Sequence, residues 1–151
     1  MSDVTQPEST GYSQSSGASG PRAGFWRRFA AVFIDGIILG IVNFILAAIL
    51  KSAPGLYYVL ETLIGWGYGT VLEGGPRGQT VGKMALGIRV IDFNSGGSIG
   101  YGRALVRQIV KVISAIPIFL GYFWMLWDRE NQCWHDKAAN DVVVPVDAYP
   151  V

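Results

Sequence analysis

Charge is scarce in this sequence: 15% of its residues are Asp, Glu, Lys or Arg, where a soluble domain carries about a quarter. The deficit is concentrated in long apolar runs, which turns the reading away from an ordinary soluble domain. A net charge of +1 excludes a nucleic-acid partner held by bulk electrostatics. Cysteine and histidine occur once each, as Cys133 and His135. One cysteine excludes an internal disulfide framework, and the pair falls short of the three or four ligands a metal site requires. No nucleophile turn with a Ser, His and Asp set is present. The chain is therefore read as a non-enzyme without cofactor or metal.

What is present is hydrophobic and membrane-like. Residues 1–24 hold Ser, Gly, Gln, Thr and Pro with no apolar run, and they lack the core of a cleavable signal peptide. Such a stretch buries too little surface to offset its ordering entropy, so a disordered tail is expected ahead of a membrane unit over residues 25–151. The run 29–50 has one charge, Asp35, and one amide, Asn43; its length suits a bilayer-spanning helix. Phe25, Trp26, Arg27 and Arg28 precede it with the aromatic and basic groups of a headgroup layer. A second run, 56–72, carries only Glu61 and sits at the lower limit for a span. The short break at 51–55 makes the two an antiparallel transmembrane hairpin. Gly36 and Gly40 on the first helix and Gly65 and Gly69 on the second predict close packing between them. The Gly65, Gly67, Gly69 string follows no strand and opens no phosphate-binding helix, so it is not a nucleotide site.

Beyond the hairpin, Arg103, Arg107 and Lys111 recur at helical spacing, with Leu105, Ile109, Val112 and Ile116 on the opposite side. That pattern fits a helix in the membrane interface or one lining a polar cavity. The stretch 104–127 is either an amphipathic helix plus a re-entrant piece or a short third span. Residues 86–92 and 141–146 have strand character, and neither has a backbone partner unless they pair with each other. The expected fold is an all-α membrane protein: a transmembrane hairpin, the 104–127 segment, and a small cytoplasmic two-stranded β element. Arg and Lys are enriched before the first run and after the second, which places both regions in the cytoplasm of a multi-pass protein of the cell membrane.

Ionisable groups inside a membrane segment are costly and mark function or internal bonding. Arg28 and Asp35 lie two helical turns apart on one face, about 10 Å along the axis. Asn43 continues that face, and Glu61 on the partner helix is placed to approach it. A buried carboxylate of this kind can trade a proton for a small cation; the alternative is a salt bridge or hydrogen bond that locks the bundle. In the C-terminal cluster, His135 with Asp136 offers a proton relay or an interfacial loop pinned by Trp134.

Three blocks carry a resemblance: AGFWRRFAAVFIDGIILG over 23–40, GQTVGKMALGIRVID over 78–92 and WHDKAANDVVV over 134–144. In this order they resemble the RDD family of bacterial membrane proteins, named for one arginine and two aspartates. By position the resemblance implies Arg28, Asp35 and Asp136 as the signature residues. Lys137 and Asn140 depart from the usual family pattern without opposing membership. Transport is an activity the resemblance implies, and cation/proton antiport is attributed to some members. The readings carried forward are a transporter or transporter subunit exchanging small cations for protons, and a non-catalytic scaffold or assembly protein. Two spans and a partial third do not enclose a pathway, so a homo-oligomer or a hetero-partner in the bilayer is expected.

Overall fold

The computed structural model describes residues 20–117 and 119–149. The tail expected over residues 1–24 lies mostly outside them. Helix α1 (Phe25–Ile49) covers the first apolar run and runs on to the Leu50 cap. Helix α2 (Pro54–Gly74) starts with Pro at its first turn, where the missing N–H costs nothing and the fixed φ suits a helix. Among the described residues, α1 is the helix that qualifies alone, by length and apolarity, to cross a membrane.

The expected glycine seam between α1 and α2 does not form. A Cβ added at Gly36, Gly40 or Gly65 would meet nothing within 4 Å, and one at Gly69 would meet Gln108. The physical reason is that each helix has another polar partner: α2 packs mainly on α4 and α1 on α3. Helix α3 (Val81–Ala85) is capped by Thr80, whose side chain accepts from the Lys83 N–H. Strand β1 (Ile88–Asp92) pairs antiparallel with β2 (Asp141–Pro145), Val90 opposite Val143. The two strands expected to pair therefore do, and Ile88, Val90, Val143 and Ala23 share one small core. The Ala23 N–H donates to Val143 O at 2.8 Å.

Helix α4 (Gly100–Ala115) is amphipathic in the inverted sense. Its stripe of Arg107 and Ala104 is buried, while Leu105, Ile109, Val112, Ile113 and Ile116 are exposed. The basic stripe turns inward onto carboxylates, with Arg107 buried and Lys111 half-buried. The chain then turns: α4 and the segment 120–126 are bent by 113°, the latter comprising α5 (Leu120–Phe123) and a 3-10 turn. Helix α6 (Trp134–Ala139) follows, with a capping box in which the Asp136 side chain accepts from the Cys133 N–H. Asn140 ends α6 at φ 52°, a left-handed position that Asn tolerates, and this turn sends Asp141 directly into β2. Helices α3 and α6 go beyond the elements expected from the sequence.

Candidate functional site

Arg28, Asp35 and Asp136 fall into two separate polar nodes. In the first, Asp35 of α1 accepts three hydrogen bonds. Tyr68 Oη of α2 donates at 2.6 Å, Thr80 Oγ1 at 2.6 Å and the Gly82 N–H at 2.7 Å. Thr80 and Gly82 open α3, so the carboxylate meets unsatisfied donors at a helix start from a neighbouring helix. The approach is close: a Cβ on Gly82 would lie 2.0 Å from Ala31 O and 2.9 Å from Asp35 Cγ. Glycine is required there by packing.

Arg28 does not serve Asp35, although their spacing puts them on one face of α1. Its guanidinium donates to Asp136 Oδ2 at 2.6 Å, to Asn131 O at 2.9 Å and to Cys133 Sγ at 3.3 Å. The stronger attraction is a carboxylate brought from α6, with Arg28 and Asp136 both buried. Asp136 also binds Arg107 of α4, which is 1% exposed. The Arg107 Nη1 bonds both Asp136 and Asp141, and its Nε donates to Glu73 Oε2 at 3.0 Å. Glu73, at the end of α2, further holds Lys83, Lys111 at 3.1 Å and Gln108 at 3.1 Å. Four cations (Arg28, Lys83, Arg107, Lys111) thus meet three carboxylates (Glu73, Asp136, Asp141) drawn from α1, α2, α3, α4, α6 and β2.

The sequence singles out Arg28, Asp35, Asp136 and His135; the structure buries Arg28, His135 and Asp136 and leaves Asp35 half-buried. Glu73, Lys83, Arg107, Lys111 and Asp141 join as partners that the sequence did not assign. The basic stripe of α4 was the available signal. Its acidic complement carries no local mark, because it comes from elements distant in sequence. Asn43 and Glu61, both half-buried, join neither node among the described residues: α1 and α2 do not pack closely enough to bring them onto the Asp35 line.

Protonation follows from burial and neighbours. Burial alone would raise the Asp136 carboxyl, but Arg28, Arg107 and the Cys133 N–H outweigh it and hold it well below the usual range. Burial drives His135 well below its ordinary value, and the nearby guanidiniums assist. The imidazole, 3% exposed, is neutral, with Nε2 3.5 Å from Asp136 Oδ1 and Nδ1 unpartnered. Burial pushes the Cys133 thiol up to about 11. Cys133, His135 and Asp136 have donor atoms within 4.8 Å of one another. They do not fit a metal ion: the thiol keeps its proton, both Asp136 oxygens are taken by guanidiniums, and Arg28 adjoins the sulfur.

The sequence pattern of the RDD family matches residues 22–140. The chain is 36% identical over 97 residues to a "Proline-rich antigen homolog" of Mycobacterium tuberculosis, covering 64% of this chain and 38% of that protein. The chain thus spans well under half the length of these mycobacterial relatives. It is 27% identical over 147 residues to "Uncharacterized protein YxaI" of Bacillus subtilis, covering 81% of this chain and 96% of the relative. "Uncharacterized membrane protein YteJ" of the same species is 27% identical over 139 residues, covering 84% and 83%. No solved structure matches.

Proposed function

The chain belongs to the RDD family, and from that premise we propose that it is a non-enzymatic scaffold of the cell membrane whose signature charges hold its helices and β cap together. The observation that carries this reading is saturation. Each Asp35 oxygen already accepts from protein donors, and each Asp136 oxygen faces a guanidinium. With three of about four acceptor positions filled on each carboxylate, little of either is open to a cation, and the guanidiniums on both sides of Asp136 repel one there.

Membrane residence is supported by the membrane-protein relative YteJ, by α1, and by the outward apolar face of α4. Burying arginines while exposing isoleucines is unfavourable in water and favourable in lipid. Two crossings, by α1 and α2, fit the connectivity. Ala23, β1 and β2 touch one another, so the chain returns to one side both after α2 and after α6. The bent 100–126 segment then enters and leaves on that side as a re-entrant piece. The positive-inside rule favours the cytoplasm for the cap and the N-terminus. The partners of this reading are the bilayer and a second membrane protein, as a homo-oligomer or hetero-complex.

A second reading, exchange of small cations for protons, has one observation in its favour: His135 is a buried neutral base beside Asp136 with a free ring nitrogen. Purified protein in vesicles containing a pH-sensitive dye separates the two. The scaffold reading expects no proton movement when a Na⁺ or K⁺ gradient is imposed. Cation-driven flux that is lost in Asp35→Asn would replace it with the transporter reading. Cross-linking in native membranes adds a second check: a stoichiometric partner is expected, and a solitary monomer counts against the scaffold.

A further inference from the structure

We propose that Asp141 is a proton-binding site that sets how firmly the β cap is held on the membrane helices. Asp141 is the first residue of β2 and is 0% exposed. Its Oδ1 faces Arg107 Nη1, a nitrogen already committed to Asp136, and its Oδ2 is buried with no partner. The other two carboxylates are better served. Asp136 has Arg28 and the Cys133 N–H, and Glu73 has Lys83, Lys111 and Gln108. Among the described residues Arg107 is the one cation paired with Asp141, it also serves Asp136 and Glu73, and of the three carboxylates Asp141 is the one left with a bare oxygen. A buried ionised oxygen without a hydrogen bond is costly, and a proton on Oδ2 lowers that cost by removing the charge.

The groups facing Asp141 are few. Helix α4 contributes Arg107, while Arg103 on the same helix is turned to Asp92 and to the carbonyls of Ala139 and Asn140. Helix α6 contributes Asp136 and neutral His135, and α2 contributes Glu73. On β1 the cross-strand partner Asp92 is engaged by Arg103 and Ser95. Burial, then the nearby Asp136 and Glu73 charges, outweigh Arg107 and raise the Asp141 carboxyl to about 7. In acid it is a carboxylic acid that still accepts from Arg107, and around neutrality it titrates. In alkaline medium it becomes a third anion on that guanidinium, at the point where the cap joins the helices.

The sign of the effect follows from linkage. Folded protein keeps an extra proton on Asp141 between the ordinary value of 3.8 and about 7. Stability contributed by this group therefore declines as pH rises through that window and is level above it. His135 acts in the opposite direction, because unfolding lets it take a proton in acid. The difference between wild type and Asp141→Asn cancels the histidine contribution.

Thermal unfolding of the detergent-solubilised full chain tests this. Asp141→Asn and wild type are expected to melt together near about pH 4, with the variant ahead by about 5 °C or more at about pH 8. A difference independent of pH, or a wild type that melts higher at the alkaline end, overturns the proposal. Should the variant not fold, infrared spectra of the Glu61→Gln protein decide the matter. A protonated-carboxyl band that disappears with a midpoint near 7 supports the site; absence of such a band overturns it. The test stands apart from whether the protein moves cations.

Discussion

Replacing Arg107 by Leu removes the group that ties α2, α6 and β2 to α4. The cost can be apportioned from what each carboxylate keeps. Glu73 retains Lys83 and Lys111, Asp136 retains Arg28 and the Cys133 N–H, and Asp141 retains nothing. Breaking a buried ion pair from one side costs about 3–5 kcal/mol. In mild acid Asp141 is already protonated, so the loss sits near the lower end, about 3 kcal/mol. One pH unit above the Asp141 value the orphaned carboxyl must be protonated against the solvent, which adds about 1.4 kcal/mol. Set against a total of about 5–15 kcal/mol for a typical domain, this is a large fraction. The assay is denaturant titration in detergent, followed by the fluorescence of the five tryptophans. Adding Asp141→Asn to Arg107→Leu should recover the alkaline increment and little in acid. A single variant within about 1 kcal/mol of wild type at both pH values would refute the reasoning. So would a double variant with no pH-dependent recovery.

Other substitutions test separate parts of the structure. Gly82→Ala drives a methyl into Ala31 O and Asp35 and should cost roughly 3 kcal/mol or more. Gly36→Ala and Gly40→Ala meet open space and should change the melting free energy by less than about 1 kcal/mol; a large loss there would restore the glycine seam. Asp35→Ala leaves the Tyr68, Thr80 and Gly82 donors unmatched, a loss of about 3 kcal/mol read as faster tryptic cleavage at Lys83. Asp35→Asn keeps an acceptor and should lose about half as much. Arg28→Lys keeps a charge near Asp136 but drops the fork to Asn131 and Cys133; about 1–2 kcal/mol should be lost in the same denaturant titration.

The parts of the fold legible in the sequence are those set by local pattern. The apolar run of α1, the strand character around Val90 and Val143, and the basic stripe of α4 are all periodic signals, and each forms the expected element. Partner choice was less legible. Arg28 and Asp35 share a helix face, yet the chain supplies each with a different partner from distant sequence, Asp136 to one and α3 to the other. Glu73 ends an apolar run and looks like a boundary residue, and its burial follows only once α4 lies against α2. Glycine spacing misled for a related reason: four-residue spacing permits close approach but does not specify which helix approaches.

The hydrogen bond between Ala23 and Val143 has a consequence for protein architecture at large. The unit begins and finishes at neighbouring points, so it can be spliced into a longer polypeptide as a cassette without displacing the sequence on either side. Reporter halves attached near residues 20 and 149 are accordingly expected to reconstitute with each other within a single copy, in one compartment.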